Sequence, residues 1–579
     1  SFPTAPMNMT TLNLTGTTAL TNLENLKSQL NTLTSLTLDG TNLGNSGTDL
    51  DFSGNTSITT LSLTNFPDIT VTLPTADSLV NLTLNNVKVT DLDLSSKTKL
   101  KTLSLANLSG VTVKFPSGLT SLTLDNIETT GLDFNQLTKL TSFSLANLTS
   151  GDIILPNAAS VTTLTLTNVE ADTIDFSGMT GVKNLTLNGV QTAGDLDLSL
   201  LTVATELSLT NVSGRKIIYP AANGVTSLTL DNVDGEVDLS SMAKLTTINL
   251  RNMPKGFHVD FGSNTTTTTL NLTGSDLSEY ESDQIKGDLG ALTTLTLNNT
   301  NISSFDSSSI SGLSKLKNIN LNNNAALEKV VFNAGDNNLE NIYIESCANP
   351  TEISIEDNQK VIHISLSGTK ITTAGLHLAE EYEKLCGLDL RNTGLDGTFK
   401  VPRFKSTNNT YGAGIIGQQV YMPNTDVEVI DVSDAGTLRM LHASNCKNLR
   451  KISGTDQLSR LSALEVRNVP NLHYLDLPNL KKDHAGAGIL DVSGTDLAYL
   501  NISDDIDVFQ YNSGFTSSNL KTQSIDVEIG GYDETRGYWA DLEAAFPGIK
   551  TERIANLQNY ATKTGTDIYE IDGGKIYGI

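Results

Sequence analysis

The sequence contains few of the residues that bind metals, form disulfides or attract nucleic acids. Its 579 residues include three cysteines, six histidines and one tryptophan, and the aromatic residues make up 5%. No apolar run reaches the length of about 20 residues that a membrane-spanning helix needs. The net charge is −26, because 64 acidic residues outnumber 38 basic ones. Such a surface repels phosphate backbones and anionic membranes. We therefore expect neither a nucleic-acid partner nor a membrane span.

The cysteines Cys347, Cys386 and Cys446 lie far apart and are odd in number. This pattern is neither a disulfide framework nor a zinc knuckle. We expect three buried or half-buried thiols, and the alternative is one disulfide with one free thiol.

Sequence motifs of catalysis are also missing. There is no Gly-x-Ser-x-Gly, no His-Glu-x-x-His and no P-loop. Gly412, Gly414 and Gly417 form Gly-x-Gly-x-x-Gly, but a polar segment precedes them and no helical pattern follows, which favours a plain loop over a nucleotide site. We therefore expect a protein that is not an enzyme, with no catalytic residue, no cofactor and no metal.

What the sequence has in abundance is repetition. The string Leu-x-x-Leu-x-Leu begins at Leu79, Leu100, Leu119 and Leu140 and continues to Leu250, with a period of roughly 21 residues. A fixed period of this length is typical of solenoids. About ten residues after each copy comes a second short apolar run, such as Leu92-Asp93-Leu94. Alternation with period two indicates strands. We therefore predict a β-rich solenoid with a thin core between parallel sheets.

The second runs carry a column of acidic residues: Asp93, Asp133, Asp175, Asp197, Asp238 and Asp260. Calcium binding is one interpretation, since hard cations prefer oxygen ligands. Members two coils apart would lie ~10 Å from each other, too far to share one ion. A solvated face is the interpretation that we favour.

Four segments match Leu-x-x-Leu-x-Leu-x-x-(Asn/Thr)-x-Leu closely, and they run from Leu36 to Leu43, Leu295 to Ile302, Ile364 to Ile371 and Leu388 to Leu395. This pattern resembles that of leucine-rich repeats, and the coils are similar to those of bacterial surface proteins of the internalin-like and BspA-like groups. The resemblance covers roughly residues 10–530. It implies a right-handed coil stack with parallel sheets and few short helices.

The regular repeats depart from this pattern at the turn asparagine. An aliphatic residue occupies that position, and asparagine comes one residue earlier, at Asn86, Asn107, Asn126, Asn147 and Asn168. We expect the asparagine ladder of the family to be displaced or absent there.

The period divides the chain into four parts. We predict an N-terminal cap with the first coils at 1–35, regular repeats at 36–274, irregular repeats with insertions at 275–530 and a C-terminal cap at 531–579. Within the irregular part, the spacing of Leu378, Tyr382 and Leu385 predicts a helix at 376–386, and residues 396–426 read as a loop. In the cap, Trp539, Leu542 and Phe546 have helical spacing.

The predicted loop at 396–426 is the least repeat-like surface. Its residues Arg403, Phe404, Tyr411 and Tyr421 are our candidates for partner binding, because loops on a rigid scaffold and aromatic anchors often carry binding. The alternative is an insertion that only fills a gap between coils.

The resemblance and the lack of catalytic motifs favour a non-catalytic, extracellular or cell-surface adhesion protein of a bacterium. Its partner would be a protein or a glycan on another cell or surface. The alternative is a structural subunit of a surface layer or extracellular fibre that self-associates, and an enzyme with an acidic site is the least favoured interpretation.

Overall fold

A computed structural model shows the chain as two compact units, Ser1–Asp276 with Glu281–Leu289 and Leu277–Tyr280 with Gly290–Ile579. The structure describes residues 9–15, 30–39, 49–278, 285–286, 289–480, 489–502, 529–541, 570–572 and 575–577, with gaps at 90, 128–131, 221–223, 235, 263, 310–312, 334–337, 357, 407–409, 412–414, 496 and 498.

In the first unit, the Leu-x-Leu segments form a main sheet of parallel strands. Side chains alternate strictly, so that Leu82 and Leu84 are buried while Thr83 between them lies on the outer face. The strands are Thr11–Leu14, Ser35–Asp39, Thr60–Thr72, Asn81–Lys88, Thr102–Leu108, Ser121–Ile127, Ser142–Thr149, Thr163–Ala171, Asn184–Asn188, Gln191–Thr192, Glu206–Thr210, Ser227–Asp231, Thr247–Arg251 and Thr269–Asn271. This alternation follows from the period of two in a strand.

The second apolar run of each coil forms a short strand on the opposite side of the core. These strands pair in parallel as well, for example Leu132–Asp133 with Ile153–Ile154. They are Leu50–Asp51, Leu92–Asp93, Val113–Lys114, Leu132–Asp133, Ile153–Ile154, Ile174–Asp175, Leu196–Asp197, Ile217–Ile218, Val237–Asp238, Val259–Asp260 and Ile285–Lys286. The predicted solenoid with a thin core between parallel strands is confirmed.

The second unit repeats this plan with longer turns. Its main sheet contains Thr294–Thr296, Asn318–Asn320, Asn341–Tyr343, His363–Ser365, Gly387–Asp389, Gln419–Tyr421, Met440–His442, Ala463–Glu465 and Ile489–Asp491. The other side contains Ser304–Asp306, Lys329–Val331, Glu352–Ile355, Leu376–Leu378, Glu381–Tyr382, Asp396–Lys400, Arg403–Phe404, Asp426–Asp431, Lys451–Ser453, Tyr474–Leu477 and Tyr499–Ile502. Helical structure among the described residues is limited to the 3₁₀ turns Leu30–Thr32, Ser307–Ser309, Leu313–Lys315 and Thr455–Gln457.

The asparagine ladder of the regular coils is displaced, as one of our two alternatives held. Asn107, Asn126 and Asn168 have φ near +50°, the left-handed region that asparagine and glycine tolerate best. The side-chain amide of Asn126 donates to Oδ1 of Asn107 at 2.7 Å, and that of Asn168 donates to Asn147 at 2.8 Å. The ladder therefore runs along the outside of these coils, while the aliphatic residues that follow fill the core.

In most coils of the second unit, the family's turn position is buried and polar; one exception is the buried aliphatic Val469. This turn position holds Thr300, Asn324, Cys347, Thr369, Thr393, Thr425, Cys446 and Thr495. Each hydroxyl of Thr369 and Thr393 donates to the carbonyl three residues before it at 2.8 Å. The thiols of Cys347 and Cys446 instead donate to carbonyls of the preceding coil, those of Leu321 at 3.3 Å and Met422 at 3.2 Å. All three cysteines are buried and unbridged, which confirms the expectation of buried thiols and excludes the disulfide alternative.

The prediction of a helix at 376–386 was wrong. The segment contains the strands Leu376–Leu378 and Glu381–Tyr382, and Leu376–Leu378 pairs in parallel with Glu352–Ile355. The four-residue spacing of Leu378 and Tyr382 fits a helix, but it is also an even number and so fits strands. Pairing with the preceding coil decides in favour of strands.

The segment 396–426 is likewise more than a loop. It contributes Asp396–Lys400, Arg403–Phe404 and Gln419–Tyr421 to the coil stack, and Thr410–Tyr411 pairs antiparallel with Ile415–Ile416. The interruption of the Leu-x-Leu pattern therefore marks inserted strands, because the chain keeps its backbone hydrogen bonds by pairing with neighbouring coils.

The predicted helix of the C-terminal cap was wrong at Trp539. This residue lies in Gly537–Asp541, which pairs with Ile529–Asp533 and Lys575–Tyr577 in an antiparallel sheet that also contains Glu570–Asp572. A β-carbon at Gly530 would clash with the Trp539 ring, so the glycines make room for it. Leu542 and Phe546 lie outside the described residues.

Candidate binding surface

In-register pairing converts each outward position of the main sheet into a straight column of side chains. In the first unit, the middle residue of Leu-x-Leu gives a column of hydroxyls. Its members are Ser62, Thr83, Ser104, Thr123, Ser144, Thr165, Thr186, Ser208 and Thr229. This stretch of the column is uncharged, and it continues in register into Asn249 and Asn271.

The same column in the second unit has a different chemistry. It reads Thr296, Asn320, Tyr343, Ser365, Asp389, Tyr421, His442, Glu465 and Asp491, each paired in register with the next, so the change begins at Tyr343. Further outward-facing side chains flank it. We define the charged aromatic face by ten residues, namely Tyr343, Glu345, His363, Asp389, Arg391, Tyr421, His442, Glu465, Arg467 and Asp491.

Arg391 lies at the centre of the charged aromatic face. Its Nε donates to both carboxylate oxygens of Asp389 at 2.9 and 3.0 Å, and its Nη2 donates to Oδ2 at 2.5 Å. Its guanidinium carbon lies 5.9 Å from the centroid of the Tyr421 ring. Hydrogen bonding to Asp389 raises the pKa of Arg391 further. The guanidinium is thus fixed by a carboxylate on one side and an aromatic ring on the other.

A continuous series of contacts extends from Tyr421 across the next coils. The Tyr421 and His442 rings meet edge to face with centroids 5.3 Å apart. His442 Nε2 lies 3.7 Å from Glu465 Oε2. Arg467 then joins two carboxylates, since its Nη2 lies 3.1 Å from Glu465 and its Nε lies 2.6 Å from Asp491. Each side chain is therefore held by a neighbour from its own coil or the adjacent one.

His363 occupies the other end of the face. Its ring lies 5.4 Å from that of Tyr343, and a β-carbon at Gly387 would lie 2.7 Å from its Cδ2 atom. Glu345 accepts a hydrogen bond from the Ser365 hydroxyl at 2.5 Å. Glycine at 387 therefore leaves the space that the His363 imidazole occupies beside the next strand.

Burial lowers the pKa of both histidines of the face. Asp389 and Glu345 oppose this effect at His363, and Arg391 adds to it. At His442, Glu465 and Asp491 oppose the effect of burial, whereas Arg467 and Arg391 reinforce it. Both imidazoles are therefore predominantly neutral at neutral pH and can accept as well as donate hydrogen bonds.

Acidification is expected to destabilise the second unit through His363. The folded pKa lies below the ordinary value of 6.5, so the unfolded chain binds the proton first, and stability falls as the pH drops through about 6.5. The variant His363→Gln should lose less stability than the parent between pH 7.5 and 5.5 in urea unfolding monitored by circular dichroism. His377→Gln, at an exposed position, is the matched control. Equal pH dependence in the His363→Gln variant and the parent would contradict this account.

The four binding residues proposed from the sequence do not come together. Tyr421 belongs to the charged aromatic face. Phe404 is completely buried, and its strand pairs with Glu381–Tyr382 on the other side of the core. Arg403 lies on that side too, 3.6 Å from both Glu381 and Asp434. The side chain of Tyr411 is outside the described residues.

The column of aspartates in the short second-side strands stabilises the turns of the coils. Asp93, Asp175 and Asp238 are exposed, and each accepts a hydrogen bond from the backbone N–H two residues later at 2.8–3.0 Å. Such bonds stabilise the turn that follows each short strand. The hydrogen bonds from Ser95, together with Lys114, lower the pKa of the Asp93 carboxyl to about 2. Among the described residues, no three histidine, cysteine or acidic side chains are grouped so as to hold a metal ion.

The described part of the chain contains no helix with the length and apolar character that a membrane crossing requires.

No protein-family model matches the sequence, and no curated protein matches it. Among solved structures, the chain is similar to the functional domain of InlJ from Listeria monocytogenes, at 19% identity over 66% of this chain and 77% of that chain, with a TM-score of 0.34. An internalin of the same organism, InlF, has 18% identity over 53% of this chain and 89% of its own, with a TM-score of 0.28.

A third similar structure is the Arabidopsis receptor kinase HAESA in complex with the peptide hormone IDA and the co-receptor SERK1. It shows 16% identity over 84% of this chain and 90% of that chain, with a TM-score of 0.32.

Proposed function

We propose that the chain is a non-catalytic binding protein that contacts a protein partner through the charged aromatic face of its second unit. The observation that carries the proposal is the change in one column, from serine and threonine between Ser62 and Thr229 to tyrosine, histidine and carboxylates from Tyr343 onward. A change confined to outward positions leaves the buried leucines of the coils in place. It therefore alters the surface without altering the fold.

The composition of the face suits a protein interface. Tyrosine and arginine are enriched among the residues that dominate binding energy, and they act best when their surroundings are already ordered. Arg391 is held between Asp389 and Tyr421, and His442 packs against the same ring. Side chains that are fixed before binding lose little conformational entropy on association.

The charges of the face favour a partner with mixed charge. Four carboxylates (Glu345, Asp389, Glu465 and Asp491) accompany two arginines, Arg391 and Arg467. Asp389 and Asp491 are buried and pair with Arg391 and Arg467. The face still has two more carboxylates than arginines, so a partner surface with an excess of lysine or arginine complements it best. We place this activity outside the cell or on the cell surface, on the basis of the resemblance of the repeats to those of bacterial surface proteins.

Selection from a displayed library of natural extracellular protein domains tests the proposal. Domains that bind the intact chain should bind the double variant Tyr421→Ala with His442→Ala about 100-fold more weakly, because central aromatic anchors contribute 2 kcal/mol or more. Surface plasmon resonance measures the two dissociation constants.

The matched control is the double variant Thr165→Ala with Thr186→Ala, at the same strand position in the first unit. Its dissociation constants should equal those of the parent. Selected domains that bind the Tyr421 and His442 variant normally, but lose affinity for the control, would refute the proposed face.

A further inference from the structure

A second surface of different chemistry lies on the first unit, along the displaced asparagine ladder. A groove of about 580 Å³ is lined by the asparagines Asn65, Asn85, Asn86, Asn107 and Asn126, together with Leu108 and Ser109. We call it the asparagine groove. We propose that the asparagine groove binds an extended, uncharged polysaccharide.

The groove exists because successive coils turn in the same way. Asn86, Asn107 and Asn126 have φ of 53°, 52° and 50°, and each comes directly after a main-sheet segment that is paired in register with the next. The repeated left-handed residue brings one amide per coil to the same edge of the sheet. Neighbouring amides are therefore spaced by one strand separation, ~4.8 Å.

Hydrogen bonds between coils orient these amides but do not saturate them. Asn107 Nδ2 donates to Asn85 Oδ1 at 2.7 Å, and Asn107 Oδ1 accepts from Asn126 at 2.7 Å. A primary amide has two N–H groups and two lone pairs. The ladder thus uses half of the capacity of Asn107, and the remaining donor and acceptor of this exposed side chain can serve a ligand.

The chemistry of the lining points to sugar hydroxyls. None of the seven lining residues is charged, so the groove offers no ion pair to a phosphate, sulfate or carboxylate. A donor and an acceptor on one amide match a hydroxyl, which also donates and accepts. Because the amides repeat from coil to coil, the matching ligand is a polymer that presents hydroxyls repeatedly.

A peptide fits the groove less well. Peptides are recognised by adding a strand to an open sheet edge, by an apolar groove, by aromatic side chains that hold proline, or by clustered arginines. The strands beside the asparagine groove are already paired on both sides, and its one apolar lining residue, Leu108, is buried. A neutral polysaccharide needs only hydrogen-bonding groups, which the asparagine amides of the groove provide.

Isothermal titration calorimetry of the intact chain with cellohexaose, laminarihexaose and mannohexaose tests this proposal, with polygalacturonate as a charged comparison. We expect at least one of the neutral sugars to bind, and polygalacturonate not to bind. The double variant Asn107→Gly with Asn126→Gly should bind that sugar at least tenfold more weakly. Glycine keeps the left-handed backbone and removes the amides.

The chain provides a closely matched control in Asn211→Gly with Asn232→Gly. These exposed asparagines form the same hydrogen bond, at 2.8 Å, and have φ of 50° and 53°, but they lie outside the groove. The control double variant should bind the sugar as the parent does, and so should Tyr421→Ala, which keeps this test separate from that of the charged aromatic face.

Three results would overturn the proposal. One is the absence of heat with all three neutral sugars at millimolar concentration. Another is binding that survives Asn107→Gly with Asn126→Gly. The last is an equal loss in both double variants, since the effect would then belong to the ladder as a whole and not to the groove.

Discussion

Replacing Leu201 with alanine is expected to lower the free energy of unfolding of the first unit by about 2–5 kcal/mol. Leu201 is fully buried, and its backbone N–H donates to the carbonyl of Leu198 in the turn after a second-side strand. The core between the two sheets is thin, so the surrounding coils have few side chains that can move into the cavity. Each coil contacts only its neighbours, and the loss should therefore remain local to the coils around residue 201.

The neighbouring residue provides the control. Leu200 is 51% exposed, and Leu200→Ala should change the stability by no more than about 0.5 kcal/mol. Urea unfolding monitored by circular dichroism gives both values. Similar losses for the two variants would mean that the turn at 199–201 does not direct one leucine inward and the other outward as the structure shows.

Replacing Asn324 with leucine is expected to destabilise the second unit by about 3–5 kcal/mol. The side chain is fully buried. Its Nδ2 donates to the carbonyls of Leu297 and Leu321, both at 2.8 Å, and its Oδ1 accepts from the N–H and hydroxyl of Thr300 at 2.7 and 3.1 Å. Leucine has a similar size but leaves the N–H of Thr300 buried without this partner, which costs about 1–3 kcal/mol. The carbonyls of Leu297 and Leu321 each lose one bond, worth about 1 kcal/mol, but they keep contacts with the Thr300 hydroxyl and the Cys347 thiol.

Asn349, an exposed asparagine of the next coil, provides the control for a side-chain hydrogen bond at the surface. Asn349 donates to the carbonyl of Ala325 at 2.7 Å, and Asn349→Ala should cost less than about 1 kcal/mol, because water replaces the lost bond. Thermal unfolding of the two variants at the same pH compares them. A small effect of Asn324→Leu would show that the buried turn position tolerates an aliphatic residue here, as it does at Val87 and Ile127 in the first unit.

The sequence was sufficient for the coil architecture because Leu-x-Leu carries a period of two that only a strand can satisfy. It also located the displaced asparagines one residue before the expected turn position. It failed at Leu378 and Tyr382, where an even spacing fits both helix and strand, and at Trp539, where pairing with distant strands outweighs local spacing. Long-range pairing of this kind leaves little trace in a short window of sequence.

The charged aromatic face was missed even though its signal was present in the sequence. Aligning the middle residues of Leu-x-Leu places Asp389, His442 and Glu465 in one column, at the position that holds serine or threonine in the regular coils. Tyr421 was predicted as a binding residue only because it lies in the interruption at 396–426. The same criterion also gave Phe404, which packs in the core. What the sequence could not provide is the contact of Arg391 with the Tyr421 ring, because the inserted segment separates the two residues by 30 positions.

Photocrosslinking from position 421 tests the proposed surface most directly. A benzoylphenylalanine in place of Tyr421 should form a covalent adduct with a selected protein partner, because the ring lies on the outer face among Arg391 and His442. The same photoreactive residue in place of Thr165, on the corresponding column of the first unit, should give none. Adducts from position 165 but not from 421 would contradict the account, and adducts from 421 to a second copy of this chain would instead favour a structural subunit that self-associates.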